Sequence, residues 1–509
     1  MPLQVQIRRC ASLIALCGTL TLAGCDLTWE KPEAAAPPPE RFRAAVPKSA
    51  PSLHSTHEFV ERFRSPELTR VIDEGLAGNN DIAAAVARIT QADAQARVSS
   101  APLFPTLSNV NNFERFQTPS TVYGGVGATG GQAAAAAASS SPYSATQSNY
   151  FSLGLNASYT LDIWGVNQDA SAASRLLANA SRFNRKVVEI ATVASALNAY
   201  FAVLNAQDQL RIVNENVRIA GHVLTALRAR REVGLATVLD VAQQETVYDT
   251  QLAMIPPLQQ TLAQQSNLLA VLLGQTPESF SIQGTTLKSL RFPKIEPGLP
   301  SEVLLRRPDV AEAEAKLASQ EFSVLQARAA FFPQIQLTGQ YGVESVVWRN
   351  LATPQAIAWQ VLAMTTQPLF DGWSLQGQYE LQKGKYSEFA ANYRKQALTA
   401  LSDAENALIA IAQTQRHLNL QEDSVAAARR ALTAAQARLS EGTIDIVTLA
   451  TNETAFFQGQ LLLEQVRLER FRAATTFYQA LGGGWSPTTR EVEIAHADAA
   501  YQADRGPWP

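Results

Sequence analysis

The chain has 509 residues, enough for a large buried core or several, and balances 42 Lys and Arg against 45 Asp and Glu. A formal charge of −3 excludes the strongly basic surface of a nucleic-acid binder. The three cysteines, Cys10, Cys17 and Cys25, all lie near the start and exclude a disulfide framework.

Arg8 and Arg9 precede the apolar run CASLIALCGTLTLAGC. A basic start, a short apolar segment and small residues at its end read as a secretion signal over residues 1–24, too short to span as a membrane helix. Leu22, Ala23, Gly24 and Cys25 match a bacterial lipobox, so Cys25 is expected to become the lipidated first residue of the mature chain. Losing the signal removes two positive charges, leaving 40 − 45 = −5. Asp26 stands where an aspartate holds some lipoproteins at the inner membrane. The Pro- and Ala-rich stretch after it reads as a semi-extended tether. No later run approaches the roughly 18 consecutive apolar residues of a membrane helix.

Beyond the tether the sequence says the same thing twice. Residues 81–105, DIAAAVARITQADAQARVSSAPLFP, align without a gap with residues 309–333, DVAEAEAKLASQEFSVLQARAAFFP, at an offset of 228. Residues 234–246 recur at 442–454, an offset of 208. The unit is a duplicated half-molecule, with 20 additional residues in the first copy between Pro105 and Leu161. The uncharged Gly-, Ala- and Ser-rich window 118–148 accounts for them as a surface loop, where insertions cost little.

Each copy opens on an alanine-rich helix, over residues 66–100 and 301–331, ending at an aromatic before Pro105 or Pro333. Strands follow. Phe151, Leu153, Leu155, Ala157, Tyr159, Leu161 and Ile163 alternate with polar or tiny residues, as do Ile335, Leu337, Gly339, Tyr341 and Val343. Partner strands near 106–116 and 357–370 make two hairpins, over 105–163 and 333–370. The pattern alone equally fits a half-buried sheet of a soluble protein.

Uninterrupted helices are predicted over residues 168–232 and 374–441, each about 100 Å at 1.5 Å per residue. Ile190, Val193, Leu197, Tyr200 and Leu204 step by 3 and 4, the spacing of a coiled-coil seam; Leu401, Ala404, Leu408 and Ile411 repeat it. Gly234 and Gly442 suit the left-handed position after a helix end, and a returning helix follows each. Pro256 and Pro257 should kink or interrupt the first of these.

Four strands cannot close a barrel, and in lipid their unpaired edges would cost several kcal/mol per group. If the strands enter a membrane, copies must pool them, and three copies supply 3 × 4 = 12. The lipobox at Cys25, NNDIAAAVAR (79–88), LDIWG (161–165), VGLATVLDV (233–241), IPPL (255–258), LPSEVLLRRPDVAEAEAKL (299–317), ARAAFFPQIQLTG (327–339), PLFDG (368–372) and YQALGGGW (478–485) together resemble the TolC-like outer-membrane factors, in their OprM/NodT-type lipoprotein branch.

That resemblance implies an α+β membrane protein of duplicated fold. A homotrimer would form a 12-stranded β-barrel, four strands per chain, continuous with a long periplasmic α-helical coiled-coil barrel. The first repeat would span 66–298 and the second 299–485, with equatorial parts from 25–65, the linker near 274–300 and the tail 486–509. It implies a passive exit duct for small molecules in the outer membrane, joined by a periplasmic membrane-fusion adaptor to an inner-membrane transporter that supplies the energy. The turns Val233, Gly234, Leu235, Ala236, Thr237 and Leu439, Ser440, Glu441, Gly442, Thr443 would be the tips that meet the adaptor. The family's charged periplasmic latch is not matched: its places hold Thr451 and Thr454, with Asp240 and Gln243 the first-copy candidates, while Asp240 and Glu453 otherwise read as solvated helix charges.

No cofactor is expected beyond the covalent lipid on Cys25. Gly125, Gly127 and Gly130 spell GxGxxG, but no buried strand precedes them and no acidic residue follows at the required distance. The five histidines lack ligand spacing, apart from a weak His54/His57 pair in the tether, and no catalytic constellation is present. A protein-secretion duct would use the same architecture. A periplasmic adaptor lipoprotein, the other rival, needs one helical hairpin where this chain has two.

Overall fold

The structure, a computed structural model, describes residues 29, 31, 55–118, 146–282, 286–293 and 300–485. The signal, Cys25, Asp26, most of the tether, the core of the glycine-rich insertion with Gly125, Gly127 and Gly130, His54, His496 and the tail 486–509 lie outside the described residues. The chain divides into two compact units, one holding residues 95–174 and 320–385, the other residues 31–94, 175–319 and 386 onward.

In chain order the elements are α1 (Thr56–Glu61), α2 (Pro66–Gly78), α3 (Asn80–Ser100), β1 (Thr106–Thr118), β2 (Thr146–Leu161), α4 (Val166–Glu232), α5 (Val238–Leu272), α6 (Pro300–Leu305), α7 (Pro308–Ala329), β3 (Gln334–Ser345), β4 (Ile357–Thr366), α8 (Ser374–Ser440) and α9 (Ile446–Ala480). The duplication is visible in their lengths. Helices α4 and α8 have 67 residues each, and α5 and α9 have 35 each. Their starts lie 208 apart (374 − 166 and 446 − 238), while β1 and β3 start 228 apart (334 − 106).

The first unit is built on one antiparallel meander, β1-β2-β3-β4. The two expected hairpins are fused through β2 and β3, with Phe151 opposite Ser345 and Leu161 opposite Ile335. Strand β2 stops at Leu161, two residues short of expectation, and β4 stops at Thr366, before Pro368, whose ring cannot donate to the ladder. Trp164 locks the exit of β2 to the start of β3, stacking on Phe332 at 4.8 Å and donating to the Pro333 carbonyl at 2.7 Å.

The second unit is helical. The seam expected in α4 is real: Val193, Leu197, Tyr200 and Leu204 are buried, with Ile190 packed against them. They meet Phe59 and Phe63 from α1 and the loop after it, and Phe471, Phe477 and Tyr478 from α9. Phe59 stacks on Tyr478 at 4.7 Å, and Phe201 lies 5.1 Å from Phe471. By composition one stretch of α4 is apolar enough to cross a bilayer, but most of it is buried within the protein.

Two expectations about helices are corrected. The predicted helix over 66–100 is broken at Asn79 and its counterpart over 301–331 at Arg307, equivalent positions 228 apart. Asn79 caps α3, its Oδ1 accepting from the Asp81 and Ile82 N–H groups, Pro308 bars helical geometry at Arg307, and a glycine from a distant helix end packs against each break. Gly274, at φ +71°, approaches so closely that a Cβ on it would lie 2.1 Å from the Gly78 carbonyl oxygen. Its counterpart Gly482, at φ +75° and 208 residues later, stands in the same relation to the Arg306 carbonyl at 2.0 Å. Only glycine fits there. Pro256 and Pro257, by contrast, leave α5 unbroken. The carbonyls they orphan belong to Leu252 and Ala253, both exposed, so water can serve them.

The motif LLRRPD owes its residues to packing. The Arg307 guanidinium, almost fully buried, donates from Nε to Asp309 at 3.0 Å and from Nη1 to Asp403 on α8 at 3.0 Å. Burial alone would raise the Asp309 carboxyl; the bonds and charge of Arg307, with Gln396 and the Val310 N–H, outweigh it and hold Asp309 below its ordinary range. A depressed folded value contributes stability that is complete above the unfolded value of about 3.9 and is lost as pH falls through the folded one. Arg307→Ala should therefore cost about 3 kcal/mol near neutrality, and less on acidification below about pH 4, read from denaturant unfolding at several pH values.

Candidate functional site

The sheet has two chemically different faces. The register puts Leu107, Phe113, Phe151, Leu153, Leu155, Ala157, Tyr159, Leu337, Tyr341, Val343, Ile357, Trp359 and Val361 on one side, interrupted on β1 by Asn109, Asn111 and Arg115. The other side carries Thr106, Ser108, Asn112, Ser152, Asn156, Ser158, Gln336, Thr338, Gln340 and Gln360, interrupted by Val110, Phe116, Leu362 and Met364. A soluble half-buried sheet would cover the apolar side. Here that side lies largely bare, with Trp359 73% and Val361 75% exposed. Single exposed apolar residues need no explanation, but a whole sheet face of them does.

Its dimensions fit a bilayer. From Phe151 to Leu161 is about 34 Å at about 3.4 Å per residue, or about 26 Å of depth at a tilt near 40°, against an apolar band of about 25 Å in outer-membrane barrels. Aromatics mark both limits. Phe113, Phe151 and Trp348 cluster at the end nearer the β3–β4 connection, with centroids 4.7 and 5.5 Å apart; Phe370 and Trp373 stand exposed after β4 at the opposite end. β1 and β4 each pair on one side only, so among the described residues each leaves one backbone edge open.

The two helical turns are near copies. At Gly234 (φ +76°) the Gly234 N–H donates to Arg231 O at 3.0 Å and the Leu235 N–H to Arg230 O at 2.8 Å. At Gly442 (φ +73°) the corresponding bonds reach Leu439 O and Arg438 O at 3.1 and 3.0 Å. Both are Schellman ends, and nothing lies within 4 Å of where either Cβ would stand. The side chains differ. Val233 and Leu235 are 70% and 74% exposed, joined by Val238 and Leu239, whereas Leu439 and Ile444 pack onto the apolar cluster between α4, α5, α8 and α9. Ala236 packs there too, while Ser440, Glu441 and Thr443 are exposed.

The four latch candidates are not brought together. Asp240 closes a capping box with Thr237, accepting from the Thr237 N–H at 2.7 Å while its own N–H donates to Thr237 Oγ1 at 3.1 Å. Thr451 and Thr454 are exposed and donate to the carbonyls of Val447 and Ala450 on their own helix, both at 2.8 Å. Gln243 is half-buried, and its Oε1 lacks a partner. Glu453, expected to be solvated, is instead fully buried and accepts from Gln244 Nε2 at 2.8 Å. The signal was present in the sequence: Glu453 continues the 3–4 spacing of Ile446, Leu449 and Phe456, so it occupies a seam position.

The family model for outer membrane efflux proteins matches residues 71–275 and 299–483, both repeats. The chain belongs to that family. It is 33% identical over 477 residues to the pyoverdine export outer membrane protein OpmQ of Pseudomonas aeruginosa, covering 93% of this chain and 96% of the relative. It is 26% identical to the cation efflux system protein CusC of Escherichia coli, covering 93% and 98%. Among solved structures, the Campylobacter jejuni CmeC outer membrane channel superposes with a TM-score of 0.81 at 20% identity, covering 93% of this chain and 98% of that one. The fold is the TolC-like duplicated one, and the chain is an outer-membrane efflux channel protein.

Adjacent residues of β2 separate the two faces of this channel wall. Leu155→Arg should cost about 3 kcal/mol and block insertion, seen as loss of outer-membrane protein on fractionation. Asn156→Arg, pointing the other way, should insert normally and alter single-channel conductance. For the turns, Gly442→Ala should cost about 1 kcal/mol from backbone strain alone and Gly442→Asn less, measured as hydrogen exchange in the flanking helices.

Proposed function

We propose that three copies of this chain close one barrel, β4 of each pairing with β1 of the next. An even strand number makes that junction antiparallel, like every other in the sheet. The observation that carries the reading is the bare apolar face bounded by two open edges: lipid satisfies the face, and only another strand satisfies the edges. The lipid on Cys25 adds an anchor at the same bilayer.

The chain acts as a passive duct, without a catalytic step, and the energy comes from an inner-membrane transporter reached through a periplasmic membrane-fusion adaptor. The two glycine turns are the adaptor's docking points. Their open surroundings and shared backbone support this, since helical tips from a partner can approach without a side chain to displace. The solutes are small molecules. The polar face offers neutral hydroxyls and amides over most of its length, with carboxylates at Glu114 and Glu344 toward one end, which fits a conduit that leaves selection to the transporter. Relatives named for such different cargoes as pyoverdine and cations agree with that division.

In a strain lacking its own channel, the wild type should restore resistance to pump substrates. Gly234→Glu or Gly442→Glu should abolish that resistance while trimers remain detectable by crosslinking. Normal resistance in both variants would remove the tips from the docking surface. Cys25→Ser should lose the lipid by mass spectrometry.

A further inference from the structure

The cluster that ties α4, α5, α8 and α9 together near the turns is apolar except at one place. Leu224, Leu227, Val241, Leu432, Leu449, Phe456 and Phe457 surround Gln244 and Glu453, both 0% exposed. The Gln244 amide uses one N–H on Glu453 Oε2, at 2.8 Å, and the other on the Ala220 carbonyl, at 3.3 Å. That leaves Gln244 Oε1 and Glu453 Oε1, both buried and both without a donor. Two acceptors left over in one buried pair cannot satisfy each other. Each is costly to leave unmatched in an apolar surround, and more so if the carboxyl is ionised.

A single proton resolves both. We propose that Glu453 is a proton-binding site, neutral in the assembled channel, where its Oε1–H donates to Gln244 Oε1 and closes a cyclic carboxylic acid–amide pair between α5 and α9. The step is a simple protonation: the hydron comes from water, and no other bond forms or breaks. The pair then has every hydrogen-bonding group matched inside an apolar ring.

The surroundings offer no substitute for that proton. On the stretches of the adjoining helices that flank the pair, the titratable groups are Glu215, Arg218, His222, Arg228, Arg230, Arg231 and Glu232 on α4, Asp240, Glu245, Tyr248 and Asp249 on α5, and Glu422, Asp423, Arg429, Arg430 and Arg438 on α8; α9 has none between its start and Glu453 or between Glu453 and Glu464. None of them hydrogen-bonds or ion-pairs with Glu453 among the described residues. Burial accordingly raises the Glu453 carboxyl above its ordinary range, with the Gln244 bond opposing. The duplication supplies an internal contrast. The residue 208 positions earlier is Glu245, and it lies outside the core, bridged to Arg228 at 2.8 Å. The same residue type thus meets two environments, and only the second lacks a counter-charge.

The sign follows from the raised value. The folded state holds the proton more tightly than the unfolded chain does, so the contribution is largest at low pH and is lost as pH rises through the folded value. The closed packing of α5 on α9 should therefore loosen in alkali. The test uses the full-length lipidated trimer in bilayers. Infrared spectra of the wild type should show a protonated carboxyl band that titrates above the ordinary glutamate range and vanishes in Glu453→Gln. Hydrogen exchange near 241–249 and 449–457 should rise with pH in the wild type relative to Glu453→Gln, whose amide keeps the ring at every pH. Gln244→Leu should shift the carboxyl titration. Absence of the band, or a wild type and Glu453→Gln that track each other in exchange, would overturn the proposal. So would failure of Glu453→Gln to assemble, because a neutral isostere should replace a neutral acid.

Discussion

A strand in hydrocarbon can hydrogen-bond only to another strand, and every other feature of this chain accommodates that constraint. The four strands satisfy each other through three ladders and leave two edges, one on β1 and one on β4. A soluble protein would blunt such edges with charge, proline or a covering helix. Here they extend over 13 and 10 residues, lengths that can pair with each other. The apolar face and the open edges are therefore one requirement, since a face made for lipid demands a sheet without ends.

The same logic explains why the helices are long and the turns plain. Their stability comes from seams such as Val193, Leu197, Tyr200 and Leu204, not from propensity, and a seam of that kind can be extended by repetition. At the turns the demand is different. A helix must end in the space of one residue, and a glycine in the left-handed region with two backbone bonds does that without a side chain in the way.

Much of this was legible in the residues because it depends on local period. The alternation in β2, the proline-free stretches of α4 and α8, the turn glycines and the 20-residue excess all follow from spacing. What was not legible depends on what comes near. The close seats that Gly274 and Gly482 take against Gly78 and Arg306 join parts of the chain more than 170 residues apart, whereas the breaks beside them could be read from Asn79 and Pro308. Pro256 and Pro257 are tolerated because the carbonyls they abandon face outward. By residue type Glu453 reads as a solvated charge, and only its place in the 3–4 seam of α9 accounts for its burial.

Duplication also means that each position has been solved twice, and the differences show where the copies stopped being equivalent. Where copy one ends its strand-to-helix turn on Gly165 at φ +83°, copy two places Trp373 at φ +69°, accepting the roughly 1–2 kcal/mol of a left-handed conformation for an exposed indole beside Phe370. The first turn exposes Val233, Leu235, Val238 and Leu239, while the second folds Leu439 and Ile444 inward. In the proposed trimer these departures make the six hairpins three of one kind and three of another. A partner that docked on all six alike would have to ignore an apolar cluster that only half of them present. For the tip docking proposed above, the divergence favours a partner that distinguishes the two kinds, reading the first turn by apolar contact and the second by its backbone.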